Sequence, residues 1–166
     1  MREIKFRGKR LDNGEWVYGF YWIEETRNHN KHHIYTFEKK GSTDLIRITG
    51  NYEVDPATVG QYTGLKDKNG VEIYEGDIVD YRAFAECDYR GTVHFGEYEQ
   101  DGSGGEYSTS RCIGFYVERQ IWIPQNWQDP EEEWNMPEYE KTISLLVCEE
   151  TEVLGNRWDN PELLEV

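Results

Sequence analysis

The sequence predicts an all-β protein with a minor helical part. Aromatic residues make up 14% of the chain, with twelve Tyr and six Trp, and such side chains suit pleated, half-buried surfaces. Short apolar or alternating runs recur between Gly, Asn and Pro punctuation. Helical periodicity is almost absent, which points to a barrel or sandwich.

Ile4 and Phe6 alternate with Lys5 and Arg7, the period of a strand with one wet face. Asp12-Asn13-Gly14 turns the chain into Trp16–Ile23, whose apolar residues fall on both faces. Such a strand is expected to be sandwiched or to meet another subunit. Residues 24–32 read as a polar loop, and Ile34–Phe37 and Leu45–Ile48 as short strands. Asp55-Pro56 marks a boundary, because Pro restricts its predecessor and donates nothing to a ladder. The predicted division is therefore an N-terminal hairpin unit over 1–54 and a second unit over 55–166.

In the second unit, Asp67-Lys68-Asn69-Gly70 and Glu75-Gly76-Asp77 bracket Val71–Tyr74, and Ile78–Tyr81 follows at once. Asn-Gly tolerates the positive φ of a tight hairpin. The run Ile73–Val79 has the turn-into-strand form of small SH3-like β-barrels. Thr92–Phe95, Ile113–Val117, Ile121–Ile123 and Ile143–Val147 read as further strands, the last ending at Cys148. The Gly-rich tip around 102–105 is expected to be mobile on entropic grounds, within an acidic insert around 96–141. Asn160 before Pro161 predicts a short C-terminal helix.

Net charge is −15 and unevenly spread. Residues 1–83 hold 13 Lys+Arg against 14 Asp+Glu, whereas residues 84–166 hold 5 against 19. Phosphates would be repelled by the second half, so direct nucleic-acid binding is not expected. No apolar run is long enough to span a membrane, and the N-terminus lacks a signal peptide's apolar region, so the expected location is the cytosol. Cys87, Cys112 and Cys148 match no CxxC spacing and read as free thiols.

Three segments together resemble the YopX family. Ile4–Arg10 with Gly14–Gly19 is similar to its opening, and Thr58–Gly70 continued by Ile73–Val79 to its central signature. Val153–Asn156 with Asn160–Leu164 resembles its closing motif. The resemblance implies a phage or prophage origin and a β-rich fold that includes an SH3-like barrel. It implies no catalytic residue, and it is silent on the segment from Arg82 to Lys141.

His29, His32 and His33 share one stretch, but a metal site wants three or four preorganised ligands, so no metal or cofactor is expected. Asp67 and Asp77 sit at turn signals, where their side chains bond nearby backbone. No GxSxG, HExxH or phosphate loop is present, and a non-enzymatic reading follows. The expected interface combines the basic N-terminal strand and its aromatic partner (Arg2, Lys5, Arg7, Trp16, Tyr18, Trp22) with the acidic insert (Trp122, Trp127, Glu131, Glu132, Glu133, Trp134), since Trp and Tyr anchor interfaces. These features predict a self-assembling module, also open to a host or phage protein partner. The alternative is an inhibitor whose carboxylates mimic nucleic-acid phosphates.

Overall fold

A computed structural model describes residues 3–27, 29–39, 46–83, 87–100, 110–119 and 142–165. Their strands form two antiparallel sheets, one of order β4 (Ile46–Glu53), β3 (Asn30–Lys39), β2 (Trp16–Glu25), β1 (Phe6–Lys9), β5 (Gly60–Lys66), β6 (Glu72–Tyr74) and one of order β10 (Thr142–Ser144), β9 (Ser110–Arg119), β8 (Cys87–Gln100), β7 (Asp77–Ala83), β11 (Glu149–Asn156). The all-β prediction holds; the strands are laid out as sheets, and no closed barrel is found among the described residues. The chain divides into Met1–Leu65 with Glu72–Tyr74, and Lys66–Val71 with Glu75–Val166. The turn at Asp55-Pro56 falls inside the first unit, because β5 pairs with β1 through Phe6↔Gln61 and Arg7↔Gly60.

In the first unit β1 (Phe6–Lys9) and β2 (Trp16–Glu25) form the expected hairpin, with Lys9 opposite Trp16. Gly14 takes φ +73° in its turn. β3 (Asn30–Lys39) and β4 (Ile46–Glu53) continue the meander. Both β2 and β3 outrun their apolar stretches, so the expected loop at 24–32 shrinks to a few residues; cross-strand pairing carries Glu24 and Glu25 opposite Lys31 and Asn30. β5 (Gly60–Lys66) and β6 (Glu72–Tyr74) complete the sheet. Val17, Ile34 and Val54 are buried at its core, with Phe6, Tyr21, Tyr52 and Val59 packed against them.

The second unit comprises β7 (Asp77–Ala83), β8 (Cys87–Gln100), β9 (Ser110–Arg119), β10 (Thr142–Ser144) and β11 (Glu149–Asn156). Ile78, Val79, Val93 and Val117 are fully buried, and Tyr81 nearly so. The expected strand Ile143–Val147 stops at Ser144. There the Ser144 hydroxyl accepts from the Leu146 N–H and starts a 3-10 turn, Leu145–Val147. Cys148 therefore follows that turn, whereas Cys112 lies in β9.

The C-terminal helix is likewise a single 3-10 turn, Pro161–Leu164. Asn160 precedes it without a side-chain cap, because its Oδ1 lies 3.4 Å from the Asn156 N–H. The segment 101–109 and most of the acidic insert, 120–141, lie outside the described residues, as does the expected strand Ile121–Ile123.

The central signature splits between the two sheets. Asp67–Gly70 is a true hairpin turn between β5 and β6, where the Gly70 N–H donates to the Asp67 carbonyl and Gly70 alone takes positive φ. Glu75-Gly76 makes no second hairpin: β6 belongs to the first sheet and β7 to the second. β11 pairs with β7, bringing the closing motif alongside the central one.

Candidate interaction face

Period-two alternation puts Lys5, Arg7 and Lys9 on one side of β1 and Phe6 and Gly8 on the other, toward the core. The Lys5 ammonium donates to Glu72 Oε2 at 2.5 Å, and the Tyr74 hydroxyl donates to the same oxygen at 2.7 Å. The rings of Tyr18, Tyr62 and Tyr74 surround Lys5 with centroids 5.8–6.0 Å from Nζ. Burial pushes the Tyr74 hydroxyl far above the usual phenol range, and its bond to Glu72 adds to the effect. Arg7 is buried, its guanidinium 4.9 Å from the Trp16 ring centroid and 5.1 Å from that of Tyr74. Arg10 is held by Asp12 at 2.9 Å and 2.5 Å. Cation–π contact of this kind strengthens as water is excluded. The basic strand expected to seek an acidic partner thus spends most of its charge within its own sheet.

The sheet also carries an exposed apolar face. Val17 and Tyr21 of β2 pack toward the core, which leaves Tyr18, Phe20 and Trp22 on the opposite face. Register extends that face: Phe20 lies opposite Tyr35, Trp22 opposite His33, and Phe37 opposite Ile48. Trp22 is 54% exposed, Phe20 48%, Phe37 45%, Ile46 64% and Ile48 58%. At the border of this face Lys31 lies 3.5 Å from Glu53, and the buried His33 places Nε2 3.3 Å from Glu24.

Of the residues expected at an interface, Lys5, Arg7, Trp16, Tyr18 and Trp22 share one face of the first sheet. Phe37, Ile46 and Ile48 escaped the sequence reading; their signal was alternation with polar neighbours, legible only once the register of β3 on β4 is known. Arg2, Trp122, Trp127, Glu131, Glu132, Glu133 and Trp134 lie outside the described residues.

His32 and His33 are adjacent in β3 and so point to opposite faces. His32 Nδ1 meets the Tyr21 hydroxyl with the two rings stacked, while His29 sits in a turn bonded to Thr26. Among the described residues no three His, Cys, Asp or Glu side chains gather into a metal-binding group.

Asp67 works as the turn chemistry predicts. Its buried carboxylate accepts from the backbone N–H groups of Asn69 and Val71 at 2.8 Å and of Val153 at 3.1 Å. In the second unit Asp80 pairs with Arg90, Glu97 with Arg111, Glu150 with Arg82 and Glu152 with Lys68. Those carboxylates are neutralised locally and form no bare row of phosphate mimics.

Cys112 and Cys148 are free thiols. Burial pushes the Cys148 thiol up to about 12, and its Sγ lies 3.5 Å from the Ser144 carbonyl. Since the thiolate is the reactive form, alkylation of the native protein at about pH 8 should label Cys112 well before Cys148, with Cys148 catching up only after denaturation. Peptide mass mapping over time checks this, and equal native rates would contradict it.

These features define an all-β protein of two antiparallel sheets, the first of which presents an apolar, aromatic-rich face. The family model described as YopX protein matches residues 5–165, and the chain belongs to that family. The crystal structure of protein EF1440 from Enterococcus faecalis is similar over 99% of this chain and 100% of that one, at 23% identity and a TM-score of 0.49. No curated protein matches.

Proposed function

We propose that this YopX-family chain is a phage or prophage accessory protein that acts in the bacterial cytoplasm as a non-enzymatic binding module and assembles with itself. The observation that carries the reading is the exposed face of Phe20, Trp22, Phe37, Ile46 and Ile48 on an otherwise well-packed sheet. Contiguous apolar surface of this kind marks interaction sites on proteins that live in water. Asp67 adds support, since a carboxylate bonded to three backbone N–H groups is a structural tie rather than a proton-transfer group. The reading includes an SH3-like barrel in the second unit, supported by the β7–β10 meander with β11 on its flank.

Light scattering at about 0.05 M and about 1 M salt tests the proposal, because salt screens ion pairs and leaves apolar contacts intact. An oligomer is expected at both. A head-to-tail ring joining the basic strand to the acidic half would come apart in high salt, and a monomer under both conditions overturns the reading.

A further inference from the structure

The geometry points to a second copy of this chain as the occupant of the β2–β4 face, packed sheet against sheet about a two-fold axis. This rests on the self-assembly reading and specifies its partner surface. The exposed parts of Tyr18, Phe20, Trp22, Phe37, Ile46 and Ile48 come to roughly 600–800 Å², taking about 200–250 Å² for each large side chain. That is at or above the ~300–600 Å² of the largest apolar patch on an ordinary monomer, and close to the ~800 Å² each partner buries in a stable complex.

Charge selects the partner. The first unit holds 10 Lys+Arg and 10 Asp+Glu and is neutral, whereas the second holds 8 against 23 and would repel its own copy. A head-to-tail contact through the basic strand would have to break existing bonds: Lys5 is committed to Glu72 and Arg10 to Asp12, while Arg7 is buried. A face that meets itself needs no second complementary patch, because each contact occurs twice across the axis. Two such sheets interdigitate their side chains at about 10 Å, which puts Phe20, Trp22 and Phe37 at the dry centre and Glu24, Lys31 and Glu53 at the wet rim. Single-stranded nucleic acid stacks on aromatic faces too, but it needs a cationic groove along them; here Lys31 is paired with Glu53.

The test is sedimentation of the full chain and of its Trp22→Glu and Phe37→Glu variants at low and high salt. The wild type is expected to dimerise at both, and each variant to associate about 30-fold or more weakly. A wild-type monomer at both salts overturns this inference and the self-assembly reading together. Undiminished association of both variants, or an open polymer, overturns this inference alone. A monomer that binds a dT oligonucleotide through Trp22 assigns the face to nucleic acid and overturns both. Hydrogen exchange of the wild type needs no mutation: protection of 16–25 and 46–53 that rises with protein concentration supports the dimer, and concentration-independent exchange there rules it out.

Discussion

Replacing Gly76 with alanine is expected to destabilise the second unit by about 3 kcal/mol, lowering its thermal midpoint by about 10 °C or more. Gly76 sits at φ +82°, where an L side chain costs about 1–2 kcal/mol. A Cβ there would also lie 2.2 Å from Cη2 and 2.3 Å from Cζ3 of Trp158, and overpacking costs about 1–3 kcal/mol. The ring has little room to yield, because backbone bonds hold both neighbourhoods. The Gly76 N–H donates to the Val93 carbonyl at 2.8 Å, and the Arg157 N–H to the Gly76 carbonyl at 3.0 Å. Thermal unfolding followed by near-UV circular dichroism reads the effect. Adding Trp158→Leu should restore part of the loss; an unchanged midpoint in Gly76→Ala would refute the account.

Asp67→Ala should cost about 3 kcal/mol, since it strands the N–H groups of Asn69, Val71 and Val153, and unsatisfied donors cost about 1–3 kcal/mol each without full additivity. Asp67→Asn, which keeps one acceptor oxygen, should cost less. Burial works to raise the Asp67 pKa, but the three backbone donors outweigh it and hold the carboxyl below its ordinary value. The folded value therefore lies below the unfolded one of about 3.9. Its stabilising contribution is complete above about pH 4 and fades as the pH falls through the folded value. Urea unfolding at about pH 7 and about pH 3 checks this. The wild type should lose stability between them, and Asp67→Asn should lose less; equal acid sensitivity would count against the assignment.

Both residues belong to the stretch most legible in the sequence, and the structure explains the legibility. The central signature and the closing motif hold one another: Asp67 reaches Val153, the Lys68 N–H donates to Thr151, and Gly76 faces Trp158. Tight turns need particular residue types, so they leave a strong mark on sequence. The hairpins at Asn13-Gly14 and Asn69-Gly70 could be read for that reason.

Long-range pairing leaves a weaker mark. The lengths of β3 and β8 depend on partners that supply hydrogen bonds to polar residues such as His32 and Glu97. The separation of His32 from His33 followed once that stretch became a strand. The apolar face was half visible, in the doubly apolar Trp16–Ile23, and half hidden, because Ile46 and Ile48 join Phe37 only through the bulged register of β4. Local ion pairing is hidden for a similar reason: summed charge does not show that Lys5, Arg10, Lys68 and Arg82 each have a carboxylate at hand.

The place of β11 beside β7 bears on synthesis. Residues 149–156 complete a sheet whose other strands are made earlier, so a nascent chain emerging from the ribosome exposes the β7 border until those residues appear. Translation arrested before Glu149 would leave Ile78 and Val79 without their cover and Asp67 without Val153. The six strands of the first sheet are all synthesised by Tyr74 and can pair while the rest of the polypeptide is still being made.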